Sequence, residues 1–130
     1  MKVRIFVDIL KVMFSEIVLR HFRDPHNVGE LDLPNAVVEV SNPVCGDVMR
    51  LSIALDEGRI SAARFKTQGC VASIAAGSVL TDMLVGKSAA EAQRISAEEI
   101  SAALGGLPPA SFHAAQLCAA ALAALEARLY

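Results

Sequence analysis

The chain has 130 residues, 54% of them hydrophobic, with a formal net charge of −2 and three cysteines. That is enough apolar material for one domain with a real core and no covalent staples, so an odd number of thiols reads as reduced cysteine in a cytoplasmic protein. No basic face or basic-aromatic cluster offers nucleic acid a footprint, and the charge-broken start lacks the apolar core and small-residue cleavage site of a secretory signal.

In chain order, residues 1–12 read as an extension, an early start codon or an appended remnant, because Met13-Phe14-Ser15-Glu16 looks like a second beginning. Ser15 is a plausible N-cap, followed by Ile17, Val18, Leu19 and Phe22 as an apolar face; Asp24-Pro25 and Asn27-Val28-Gly29 then end the helix. Val37–Val40 is a short strand. Val48–Leu55 alternates, with Leu51, Ile53 and Leu55 on one face; Asp56-Glu57-Gly58 turns, and Arg59–Thr67 returns as a β-hairpin. Gln68-Gly69-Cys70 opens an apolar helix that stops at Gly86. Ser88 with Glu91, and Ser96 with Glu99, carry the capping-box spacing of two short scaffold helices. Gly105 to Pro109 breaks the chain before a last helix, which starts near Ser111 and carries a stripe of Cys118, Leu122, Leu125 and Leu129. This Ala-rich tail is long enough to span a bilayer, but its weak apolarity and its stripe suit a packed helix and no membrane.

Asn42-Pro43-Val44-Cys45-Gly46-Asp47 is the stretch around which the other chemistry gathers. Cys45 and Asp47 are two residues apart across a glycine, where both can face one small cation. Cys70 follows the third strand, so the two thiols can meet at one end of the sheet, and a helix N-terminus is a favourable seat for an anionic ligand. His113 and Cys118 lie in the first turns of the last helix. A set of Cys45, Asp47, Cys70 and His113 or Cys118 is what a thiophilic metal or an iron–sulfur cluster needs. Lys66, near the end of the third strand, either steadies anionic thiolates or is solvated.

In order and spacing, Pro25 to Gly29, Cys45-Gly46-Asp47-Val48-Met49, Ala63 to Cys70, Gly86-Lys87-Ser88 and Leu107-Pro108-Pro109 with His113 resemble the NifU/IscU-type iron–sulfur cluster assembly scaffolds over residues 13–130. The resemblance implies an α+β fold, SufE/NifU-like: a small three-stranded antiparallel sheet packed against several helices, with an accessible site at one end. It implies a scaffold and not an enzyme, on which a labile 2Fe–2S cluster is built from iron and from the sulfur of a cysteine desulfurase, then passed to acceptor apo-proteins. By matching motif, Cys45 and Cys70 would be ligands and sulfur acceptors, Asp47 the carboxylate that keeps the site labile, and His113 an auxiliary ligand. Such a site also accepts Zn²⁺ in tetrahedral S/N/O coordination. The alternative is a zinc-bound sulfur-transfer partner that accepts persulfide and stimulates the desulfurase.

Two positions depart from the family pattern. Ala114 stands where a third cysteine usually follows the histidine. Cys118, one helical turn further on, is then either the displaced ligand or the first member of the core stripe. Leu107-Pro108-Pro109 is followed by Ala110-Ser111 and not Val-Lys, which leaves recognition by an Hsp70-type chaperone without its lysine.

Overall fold

A computed structural model describes residues 9–43 and 46–129, the last by its backbone alone. Residues 9–13 are helical, so the expected extension runs into a short helix ahead of Phe14; Ile9, Val12 and Met13 are exposed and Phe14 packs against the core. Helix α1 (Glu16–Arg23) starts where the cap predicts: the Ser15 hydroxyl accepts from Val18 N–H at 3.1 Å and donates to the Leu104 carbonyl. Strands β1 (Ala36–Ser41), β2 (Val48–Asp56) and β3 (Arg59–Gln68) form one antiparallel sheet in that order. The β2–β3 turn has positive φ at Glu57 (52°) and Gly58 (78°), the hand that matches strand twist in a two-residue hairpin. A register shift between Ala54 and Leu55 breaks the alternation expected there: Ile53 is fully buried, while Leu55 is only partly covered.

Two helices cover one face of the sheet. Helix α2 (Val71–Leu84) packs on β3, and α5 (His113–Leu129) packs on β1 and β2; α1 lies on α2. Val38, Leu51 and Phe65 share one cross-strand row, and all three are buried in the core beneath these helices. Gly77 permits the close approach: a Cβ there would lie 2.4 Å from the Phe65 ring, so any larger residue would lift α2 off β3. Segment 27–29 runs along the outer edge of β3, with Phe65 N–H bonded to Asn27 O (3.0 Å) and Gly29 N–H to Phe65 O (2.9 Å), which leaves that edge paired.

The short helices α3 (Ala89–Gln93) and α4 (Ala97–Ala103) carry the predicted caps. Ser88 and Glu91 form a reciprocal capping box, and Ser96 Oγ accepts from Glu99 N–H, each cap contributing about 1 kcal/mol. A 3₁₀ turn, Pro109–Ser111, takes the place of the expected helix start, so α5 begins at His113. By length and composition the stretch Pro109–Arg128, the 3₁₀ turn with most of α5, is apolar enough to cross a bilayer, but Ala114, Ala115, Leu117, Cys118, Ala121, Leu122 and Leu125 are buried against the sheet and the other helices, the packing of a core helix.

Candidate metal centre

Strand register brings the first two site residues together. Val48 pairs with Gln68, so the next residues along, Asp47 and Gly69, face each other at the end of the β2–β3 ladder. The Asp47 carboxylate lies directly over Gly69: a Cβ at that position would be 2.7 Å from Asp47 Cγ and 2.8 Å from Oδ1. Glycine is required by this close approach and not by its φ. Main-chain bonds from Asn42 N–H to Asp47 O (2.8 Å) and from Gly46 N–H to Asn42 O (2.7 Å) close the base of the β1–β2 loop and hold Asp47 in place.

One residue beyond Gly69, Cys70 is the N-cap of α2 in extended backbone, with no side-chain capping bond and an exposed thiol. His113, the first residue of α5, completes the group. Cys70 Sγ lies 3.6 Å from Asp47 Oδ2 and 3.8 Å from His113 Nε2, and His113 Nε2 lies 3.5 Å from Asp47 Oδ2. His113 Nδ1 is 3.1 Å from the Ala110 carbonyl, which can only accept, so Nδ1 carries a proton and Nε2 is the nitrogen turned to the thiol and carboxylate. The 3₁₀ turn is thus part of the site, because it aims the carbonyl that orients the His113 ring. Both α2 and α5 point their N-termini here, a field that favours anionic ligands.

Ser73 was not foreseen as part of this group. It is fully buried one turn into α2, donates its hydroxyl to Asp47 Oδ2, and lies 3.4 Å from Cys70 Sγ. Asp47 is itself buried, and Ser73 and His113 supply the polar contacts a buried carboxylate needs. The signal was its position three residues after Cys70, where a helix returns to the same face.

The other predicted residues lie elsewhere. Cys45 falls outside the described residues. Cys118 is completely buried, burial pushes its thiol up to about 12, and it joins neither group of converging donor atoms among the described residues. Lys66 Nζ lies 3.9 Å from Glu30 Oε2, and Glu30 Oε1 lies 2.6 Å from Arg50 Nε. Lys66 and Arg50 are cross-strand partners that share this carboxylate, so the lysine is turned to Glu30.

The family described as NifU-like N terminal domain matches residues 13–127. The chain belongs to that family. A relative from Archaeoglobus fulgidus named iron-sulfur cluster assembly scaffold protein IscU 1 is 43% identical over 110 residues, covering 85% of this chain and 72% of the relative. The Escherichia coli K12 protein named iron-sulfur cluster assembly scaffold protein IscU is 44% identical over 115 residues, covering 85% of this chain and 89% of its own. Among solved structures, a Fervidobacterium islandicum protein described as a putative iron-sulfur cluster assembly scaffold for the SUF system superposes with a TM-score of 0.72 at 22% identity, over 87% of this chain and 96% of that one, and so shares the NifU-like fold. The α+β architecture read from the sequence is the one this family has.

Proposed function

We propose that this NifU-like domain is an assembly scaffold for a labile 2Fe–2S cluster, held by Cys45, Asp47 and Cys70 with His113 as the fourth donor. The observation that carries the proposal is the convergence of a thiol, a carboxylate and an imidazole nitrogen at one accessible end of the sheet. Chain connectivity keeps Cys45 within about 7 Å of Asp47, Cα to Cα. A carboxylate and an imidazole bind cluster iron less tightly than two more thiolates would, which suits a cargo that must leave. A permanent electron carrier would be better served by four thiolates.

Sulfur arrives as a persulfide on a cysteine desulfurase. The Cys70 thiolate attacks the terminal sulfur, a new S–S bond forms, the old one breaks, and the desulfurase cysteine leaves as thiolate. Each sulfane sulfur then takes two electrons from an external donor to become bridging sulfide. Ser73 keeps the Asp47 carboxylate turned into the site during these steps. The partners are a desulfurase and acceptor apo-proteins in the cytoplasm, and the Ala110-Ser111 sequence after Pro109 leaves recognition by an Hsp70-type chaperone without its lysine. Cys118 is a core residue in this reading and not the third thiolate.

The same S/N/O donor set suits tetrahedral zinc, which is the specific ground for the second reading, a zinc-bound acceptor of persulfide that stimulates the desulfurase. Anaerobic reconstitution with ferrous iron, cysteine and a desulfurase separates the two. The scaffold reading expects a visible 2Fe–2S chromophore that moves to an apo-ferredoxin and is missing from the Cys45→Ala and Cys70→Ala proteins. Tight zinc with faster desulfurase turnover and no cluster would replace it with the second reading. Wild-type cluster formation by Cys45→Ala would show that the ligand set is wrong.

A further inference from the structure

A second group of metal-ligating side chains lies far from the thiol. His21 on α1, His26 in the loop that follows and Asp82 on α2 bring one ring nitrogen each and a carboxylate oxygen within 4.8 Å of one another. Asp82 is twelve residues along α2 from Cys70, about 18 Å at the rise of a helix, so the two groups sit towards opposite ends of one helix. We propose that His21, His26 and Asp82 form a second site, for a divalent first-row transition ion.

Each donor is braced from behind. His21 Nδ1 lies 2.6 Å from Ser78 Oγ, a bond that fixes the orientation of the ring. The same hydroxyl oxygen accepts from the His26 backbone N–H at 2.8 Å, so one serine locates both histidines. Asn27 Nδ2 donates to Asp82 Oδ1 at 2.8 Å, while Asp82 Oδ2 lies 2.6 Å from His26 Nδ1. The Ser78 and Asn27 bonds are outer hydrogen bonds of the kind that fix ligand orientation at metal sites. A plain clasp between the loop and α2 would need only the Asp82 contacts to His26 and Asn27. The His21 ring, held by Ser78 and packed on the His26 ring at 4.8 Å between centroids, adds a further ring nitrogen within 4.8 Å of the same carboxylate.

Two imidazoles and one carboxylate suit zinc, ferrous iron or cobalt, and do not suit magnesium or calcium, which require oxygen donors. A cavity of about 420 Å³ beside the group, lined by Ile17, Arg20, His21, Arg23, Asp24 and His26, gives water and a further ligand access to the ion. Arg20 and Arg23 on its wall oppose a cation and Asp24 offsets them, which favours an exchangeable ion over a permanent one. On binding, the proton shared by His26 Nδ1 and Asp82 Oδ2 goes to solvent. Those atoms then part by about 1 Å, to the separation of two ligands held at about 2.1 Å on a tetrahedral ion.

The test is titration of the intact protein with Co²⁺, followed by calorimetry and by visible and near-ultraviolet absorption. Two ions per chain are expected, one with thiolate-to-cobalt charge transfer and one with d–d bands alone. His26→Ala and Asp82→Asn should each weaken the second ion at least tenfold and leave the charge-transfer band intact, while Cys70→Ala does the reverse. His26 and Asp82 are exposed, and Asp82→Asn keeps an acceptor for Asn27, so the fold tolerates these changes, as an unchanged melting temperature would confirm. Binding of two ions with unaltered affinity by both variants overturns the site, as does a wild-type chain that takes no ion lacking charge transfer. A His26-dependent ion in a protein with no charge-transfer band would sustain this site while removing the thiol site on which the scaffold reading rests.

Discussion

Cys70 and Cys118 carry the same side chain into opposite surroundings, one at the cap of a helix and the other inside a helix. Cys70 caps α2 at the end of the sheet, exposed, with a carboxylate, an imidazole nitrogen and a hydroxyl within 3.8 Å. Cys118 lies on the second turn of α5 with no exposure, and desolvation alone pushes its thiol up to about 12, so it stays a protonated apolar group at neutral pH. A thiol becomes a ligand only where the fold gives its anion partners and a path to solvent.

The largest effect that sharpens this contrast is expected from Cys70→Ala. Zinc or cobalt affinity at the thiol site should fall by more than the roughly 10–100-fold that loss of an outer-shell partner costs. Cys118→Ala should leave that affinity unchanged; equal losses in the two variants, read by calorimetry, would erase the distinction drawn here. Next in size come the residues that seat Asp47. Ser73→Ala removes the hydroxyl that donates to the carboxylate and should cost about 10–100-fold in metal affinity. Gly69→Ala drives a methyl into Asp47 and should in addition lower stability by about 1–3 kcal/mol, measured by urea denaturation.

For Cys118→Ala the expected loss is of stability, about 1–2 kcal/mol from a small cavity in the core. Thiol labelling gives the same contrast kinetically: in a Cys45→Ser background one cysteine should react with an aromatic disulfide in the folded protein and the second only after denaturant is added. Smaller still is the acid response of Glu91. Bonds from the Ser88 backbone and side chain, then from Arg59, hold its carboxyl down at about 2 against an ordinary 4.5. A depressed folded value means its contribution is present above pH 4.5 and is lost as pH falls towards 2; Glu91→Gln should flatten that part of the stability profile without touching metal binding. The smallest effect is expected on removing residues 1–12. Val12 is 88% exposed, and a protein starting at Met13 should keep its metal affinity and melt within a few degrees of the full chain.

Local rules were enough for most of the elements. The serines at 15, 88 and 96 mark helix starts through a bond each makes within three residues, and the alternation of β2 and β3 around Glu57-Gly58 needs only neighbouring side chains and a turn of the right hand. The motif Cys45-Gly46-Asp47 and the placing of Cys70 after a strand and before a helix made a thiol and carboxylate site legible, because strand ends and helix starts are set by the same local signals. Tertiary structure alone decided the rest. Nothing near Cys118 in sequence says which side of α5 faces the sheet closely enough to exclude water; only the packing shows that this thiol is buried. Ser73 meets Asp47 from twenty-six residues away, and Asp82 meets His26 from fifty-six, through the register of β2 with β3 and the seating of α1 on α2. Contacts across such separations depend on how whole elements pack, and no periodicity within one element encodes them.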